Sequence, residues 1–349
     1  MPRPLLIAIL ITLALTCLLT CVSQQRAVLS STSAPSASPL HDEIIVCGQR
    51  FRTGTLVVLW TDPDGYDAYR LERRFTPPIS APFSTSPETA HAELVSALAT
   101  ETLEPSFGYR KPGMSAADAA KLVNDGWSIE LLTKYVDQFV IHYDAAGTSR
   151  GCFRALHDVR RLSIHFMLDL DGTIYQTLDL RERAWHATTS NDRSIGIEIA
   201  NIGAYELGKP DPLSRWYSAD SPTSTRISFP ADIGSGGLLV RDFIPRPARG
   251  LPVLGEINGK MMRMYDFTPE QYESLIKLTV ALTKIFPNIA TDYPRSADGS
   301  LETRALPLDR LASYKGLLGH FHIQPEKADP GPAFQWDAFL AAVRAQSRE

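Results

Sequence analysis

The stretch Val136-Asp137-Gln138-Phe139-Val140-Ile141-His142-Tyr143 is apolar almost throughout, with Asp137 and Gln138 the exceptions. A half-exposed strand alternates polar and apolar residues, so this run predicts a central strand covered on both faces. Its apolar run Phe139-Val140-Ile141 ends in a histidine, His142. In open α/β sheets the ends of the strands are where ligands and reactive groups gather, which makes His142 a candidate site residue.

The neighbouring segments supply the rest of a sheet. Leu162–Leu168 and Thr173–Leu178 flank Asp171-Gly172, the pattern of a β-hairpin. Ser194–Ala200 alternates cleanly, with Ile195, Ile197 and Ile199 on one side and Ser194, Gly196 and Glu198 on the other. A carboxylate thus projects from the polar face of a core strand. Helices are marked by their ends. Ser115 to Asn124 is closed by Gly126, and Thr268-Pro269-Glu270-Gln271 opens a helix to Phe286 with a capping box and proline at the first position. Trp336, Phe339, Leu340 and Val343 share one face of a last helix. The expected fold is α/β: a mixed central β-sheet flanked by helices. Glu43–Cys47 and Thr55–Trp60 add a small β-rich N-terminal element.

The chain of 349 residues divides by composition. Arg3 precedes an apolar run, Leu5–Leu19, that is too short for a comfortable membrane span and fits the core of a signal peptide. Leu18-Leu19-Thr20-Cys21 resembles a bacterial lipobox, with Cys21 as the candidate for lipidation and membrane attachment. Residues 1–21 are therefore expected to direct export to the periplasm or cell envelope, and residues 22–40, rich in Ser, Thr, Gln, Ala and Pro, to form a flexible linker. Residues 41–127 follow as an accessory region and 128–346 as the main domain. Within the latter, 201–258 is rich in Pro, Gly, Ser and Asp and is expected to be a lid-like insertion rather than a second core. Export permits a Cys47–Cys152 disulfide; two free thiols are the other reading. Net charge is −4 and no basic stripe carries interleaved aromatics, so nothing indicates a nucleic-acid partner.

A second chemistry-bearing stretch is Gly319-His320-Phe321-His322-Ile323-Gln324-Pro325-Glu326-Lys327-Ala328-Asp329-Pro330-Gly331. If the strand Gly316–Ile323 continues to its end, His320 and His322 share a face, and periodicity leaves either free to meet a metal. Lys327 and Asp329 are either solvated loop charges or part of that site. Two histidines and a carboxylate form a ligand set of hydrolytic zinc centres. His157 and His165 read as structural or as residues supporting a site from behind, and His41 and His91 lie in weakly patterned segments.

Five motifs occur in order: Val140-Ile141-His142-Tyr143; the hairpin from Leu162-Ser163-Ile164-His165-Phe166 to Tyr175-Gln176; Arg183-Ala184-Trp185-His186-Ala187; Ser194-Ile195-Gly196-Ile197-Glu198; and Gly319-His320 to Asp329-Pro330-Gly331. Together they resemble the zinc-dependent N-acetylmuramoyl-L-alanine amidases, a family that includes phage amidases and animal peptidoglycan recognition proteins. The resemblance covers about residues 136–339 apart from the insertion. It implies one zinc ion held by His142, His320 and Asp329, and so selects His320 over His322. It implies Glu198 as acid/base, Lys327 as a stabiliser of the oxyanion, and Trp185 and His186 near the substrate. The activity implied is hydrolysis of the amide between N-acetylmuramic acid and L-alanine in peptidoglycan or muropeptides, for wall remodelling or recycling. The alternatives are a non-catalytic peptidoglycan-binding protein and a purely structural envelope protein.

Overall fold

A computed structural model describes residues 41–75 and 104–348. The expected export segment with Cys21, the expected linker 22–40 and His91 lie outside the described residues. No helix among those described is long and apolar enough to cross a membrane. Residues from His41 onward form one compact unit.

Its centre is a six-stranded mixed sheet built from β1 (Val57–Leu59), β2 (Gln138–Tyr143), β3 (Phe166–Leu168), β4 (Ile174–Gln176), β5 (Ser194–Ile199) and β6 (Gly316–Gly319), in the order β6-β2-β5-β3-β4-β1. Only the β3–β4 hairpin pairs antiparallel; the other four pairings are parallel. The alternation read in Ser194–Ala200 sets the two faces. On one side Ile195, Ile197 and Ile199 join Phe139, Ile141, Phe166 and Leu168 in the main core. That face is covered by the helices Pro269–Ile285 and Trp336–Gln346, through Leu275, Leu278 and Leu282 and through Trp336, Phe339, Leu340 and Val343. Each such side chain contributes roughly 1.5–3 kcal/mol on burial. The other face carries His142, Glu198 and Met167, which the register places side by side on β2, β5 and β3.

The expected ends of the long helix are observed. Thr268 and Gln271 form the capping box, and the same two side chains bond Leu170 O at 2.8 Å and Ala200 O at 2.8 Å, tying the helix start to the ends of β3 and β5. Three expectations need correction. The strand expected over Gly316–Ile323 stops at Gly319, and His320–His322 turns as a 3₁₀ helix, so the two histidines do not share a strand face. The insertion is more ordered than its composition suggests. It holds the hairpin Tyr217–Ser221/Ser224–Ile227 and a small apolar cluster with Leu213, Trp216, Tyr217 and Ile227. The Cys47–Cys152 disulfide is not formed: both thiols are free, because Cys47 packs against the main core and Cys152 sits in a separate cluster with Phe153 and Tyr175.

The N-terminal element splits. The run expected at Glu43–Cys47 forms a strand, Glu43–Val46, but its hairpin partner is Gln49–Arg52 rather than the second run; the turn residues Cys47 and Gly48 have φ of 49° and 75°. Its turn is clamped by Asp179, whose carboxylate accepts from Cys47 N at 2.8 Å and Gly48 N at 2.7 Å. The second run instead becomes β1, an edge strand of the central sheet.

Arg110 is 1% exposed and donates to Leu180 O at 3.0 and 3.1 Å, Ser194 O at 2.9 Å and Asn191 O at 3.2 Å. It satisfies carbonyls that would otherwise be buried without partners. Arg110→Met should cost roughly 3 kcal/mol or more in urea unfolding; a loss below about 1 kcal/mol would contradict this role.

Asp169 is fully buried, and burial, reinforced by Asp171, raises its carboxyl to about 8 from the usual 3.8. The folded protein therefore keeps a proton that the unfolded chain has released between those values. Stability from this group is complete below about pH 4 and falls as pH rises toward 8, by on the order of 1 kcal/mol per unit. Asp169→Asn should flatten that slope in denaturation measured at pH 5 and pH 8, whereas parallel curves would contradict the assignment.

Candidate metal centre

Parallel pairing brings the ends of β2 and β6 to the same edge of the sheet, with Gly319 opposite Ile141. The next residue on each strand is a histidine. The chain turns sharply at Gly319, where a Cβ would meet Pro330 Cδ at 2.7 Å, so glycine is required by the close approach of the returning loop. That return is fixed by Phe321 N–H donating to Asp329 O at 3.1 Å and by the turn from Gln324 O to Lys327 N at 3.1 Å. Asn258, the last residue of the insertion, donates to Phe321 O at 3.3 Å and Lys327 O at 3.0 Å, bridging both limbs of the loop. Nothing in the sequence pattern marked Asn258 for this task.

Three atoms converge as a result. His142 Nδ1 lies 3.0 Å from His320 Nδ1 and 2.9 Å from Asp329 Oδ2, and His320 Nδ1 is 3.0 Å from the same oxygen. All three residues are buried, and they are a group able to hold a metal ion. The fit is chemical as well as geometric. Two imidazole nitrogens and a carboxylate oxygen face one point, where a cation would engage all three lone pairs together. Tetrahedral bonds of about 2.0–2.2 Å put ligand atoms about 3.3–3.6 Å apart, a few tenths of an ångström wider than the 2.9–3.0 Å triangle.

Protonation favours the same use. Burial, and then His320, lowers His142 to about 4 against the pull of Asp329. Burial opposes ionisation of Asp329, but His320 and His142 hold it well below the carboxylate range. The outer nitrogens are also engaged. His142 Nε2 lies 2.9 Å from His186 Nδ1, His186 Nε2 lies 3.1 Å from Ser194 Oγ, and His320 Nε2 lies 2.8 Å from Gln324 Oε1.

Glu198 stands next to His142 across the β2–β5 ladder, on the same face. Its Oε2 is buried with no hydrogen-bond partner. Burial raises its pKa well above the usual 4.5, with Asp329 and Asp144 adding to the rise and Lys327 and Arg160 opposing it. Lys327 is partly buried and its charge acts on both Glu198 and His142.

Other candidates fall away from the triangle. His322 is fully buried and spends both nitrogens on the backbone, Nδ1 accepting from Gly319 N at 2.9 Å and Nε2 donating to Glu302 O at 2.8 Å. Burial lowers it to about 3, so it is a neutral structural residue. His165 is similar, accepting from Gly196 N at 3.1 Å and donating to Glu182 O at 3.1 Å. His157 bonds Asp158 and Arg70 O. The Trp185 indole lies over Gly108, 3.5 Å from where a Cβ would stand, on the strand Phe107–Tyr109.

Comparison with known proteins gives concordant matches. The chain is 24% identical over 196 residues to 1,6-anhydro-N-acetylmuramyl-L-alanine amidase AmpD of Escherichia coli (strain K12), covering 54% of this chain and 61% of the relative. The AmpD protein of Haemophilus influenzae is 23% identical over 193 residues, covering 53% and 60%. The chain thus spans about three-fifths of the length of these relatives. Among solved structures, a selenomethionine derivative of AmpD aligns with a TM-score of 0.31 and 19% identity over 69% of this chain and 91% of that one. A complex of Escherichia coli AmiD with an anhydro-N-acetylmuramic acid peptide gives 0.33 and 20% over 60% and 57%. The model of one family, described as N-acetylmuramoyl-L-alanine amidase, matches residues 132–332, which include β2, the β3–β4 hairpin, β5 and the whole His320–Asp329 loop. Over more than half of its length, this chain belongs to the N-acetylmuramoyl-L-alanine amidase family.

Proposed function

We propose that this protein is a zinc-dependent amidase that hydrolyses the bond between N-acetylmuramic acid and L-alanine in muropeptides or peptidoglycan. The observation that carries this reading is the triangle of His142 Nδ1, His320 Nδ1 and Asp329 Oδ2, with an unpartnered Glu198 oxygen on the adjoining strand. His142, His320 and Asp329 hold the ion. Two neutral nitrogens and one carboxylate suit zinc, and a three-residue set leaves a position open for chemistry. Bound zinc would supply the Lewis acidity that makes water nucleophilic near neutral pH.

The chain's own groups do the rest. Glu198 accepts the proton of the attacking water and returns it to the leaving nitrogen of L-alanine. Burial raises its pKa well above the usual carboxylate value, and its unpartnered oxygen is available for a proton. Lys327 counters the negative charge that develops on the amide oxygen, and it also restrains the pKa of Glu198. The names of the AmpD relatives and the ligand of AmiD support a muramyl-peptide substrate. In this reading residues 1–21 direct export, Cys21 carries a lipid anchor, 22–40 act as a tether, and 41–127 form an accessory region. The main domain is 128–346 with its insertion at 201–258. The site of action is the periplasm or envelope, where wall material is reachable.

Glu198→Gln tests the assignment. It should retain stoichiometric zinc and lose about 10²–10⁴-fold in release of L-alanine-terminated stem peptide from a muropeptide. Chelation of the wild type should abolish the same release, and added zinc should restore it. Near-normal turnover in Glu198→Gln, or zinc without turnover in the wild type, would contradict this reading; the latter fits a non-catalytic binder.

A further inference from the structure

We propose that His186 is a positioning residue for the metal centre, holding the His142 ring through a hydrogen bond and being held in turn by Ser194. The inference rests on the metal reading above and goes beyond it. It also differs from the substrate contact that the sequence resemblance implies for this residue.

The donor and acceptor arithmetic leaves one arrangement. His142 Nδ1 faces His320 and Asp329 and must present a lone pair there to serve as a ligand. A neutral imidazole carries a single N–H, so the proton of His142 sits on Nε2. That N–H needs a buried acceptor, and among the described residues His186 Nδ1 offers one at 2.9 Å. His186 must then be protonated on Nε2, and this N–H points to Ser194 Oγ at 3.1 Å. Each assignment forces the next, from the metal-facing atom to a hydroxyl on β5.

Packing supports the same role. The two rings meet edge to face, with centroids 5.1 Å apart and planes at 78°. The space for His186 is made by Gly196, where a Cβ would come within 2.5 Å of His186 Nδ1 and Cε1. Gly196 lies two residues before Glu198 on β5, so the strand that carries the acid/base also seats the ring behind the first ligand. Both His186 nitrogens are occupied, which leaves none to bond a substrate. His320 is steadied in a parallel way by the amide oxygen of Gln324. Outer partners of this kind fix tautomer and ring orientation, and their loss typically costs 10–100-fold in metal affinity.

The test is zinc affinity, measured by chelator competition on the full chain for wild type, His186→Phe, His186→Asn and Ser194→Ala. Removing the acceptor in His186→Phe should weaken zinc binding about 10–100-fold. His186→Asn, which keeps an acceptor near the Nδ1 position, should recover part of the loss, and Ser194→Ala should show a few-fold weakening. In the wild type, long-range proton–nitrogen spectra of the imidazoles should show both His142 and His186 protonated on Nε2. Folded His186→Phe with unchanged zinc affinity and only a raised KM would overturn the proposal in favour of substrate contact. If His186→Phe fails to fold, Ser194→Ala and the wild-type spectra decide, and His186 protonated on Nδ1 would overturn it. A wild type that binds no zinc would defeat the metal reading instead; the tautomers of the metal-free protein would still report on the His142–His186 bond.

Discussion

The site depends on the parallel register of β2 with its two neighbours. Pairing of His142 with Glu198 puts a prospective ligand and a carboxylate side by side on one face. Pairing of Gly319 with Ile141 brings the next residue, His320, to the same edge. A slip of one residue in either ladder would turn a reactive side chain into the main core and an isoleucine or leucine out of it. The apolar faces that lock this register, Phe139 and Ile141 against Ile195, Ile197 and Ile199, are therefore also what aligns the chemistry.

The loop adds the third member of the triangle by a different means. Asp329 lies nine residues beyond His320, and its place is set by backbone bonds and by Asn258 reaching in from the end of the insertion. Residues of the 201–258 segment also pack on this loop, Ile257 joining Phe321 in one apolar cluster with Ala204 and Ala328 against it. Glu198 adds to the arrangement a half-buried carboxylate whose Oε2 is enclosed without a hydrogen-bond partner, an unfavourable state for a structural residue and a useful one for a proton carrier.

Most of the sheet and helices was legible because their signals are local. Alternation in Ser194–Ala200, the Asp171-Gly172 turn and the capping box at Thr268 each record backbone physics within a few residues. Three features were not. The end of β6 at Gly319 depends on Pro330 approaching from eleven residues downstream, so the apolar run read as a longer strand and left His320 and His322 equivalent. Their difference is tertiary: His322 is consumed by Gly319 N and Glu302 O. Arg110 and Asn258 are invisible to pattern because the carbonyls they donate to lie 63 to 84 residues away. The Cys47–Cys152 pairing was an inference from cysteine count, and count carries no geometry; the fold buries one thiol and leaves the other beside the hairpin turn.

The central claim is that two histidines and one aspartate hold the metal. X-ray absorption at the zinc edge of the reconstituted protein addresses it directly. The account predicts a shell of nitrogen and oxygen at about 2.0–2.2 Å with the multiple scattering of two imidazoles and no sulfur. A sulfur neighbour near 2.3 Å, or a third imidazole in the first shell, would contradict it.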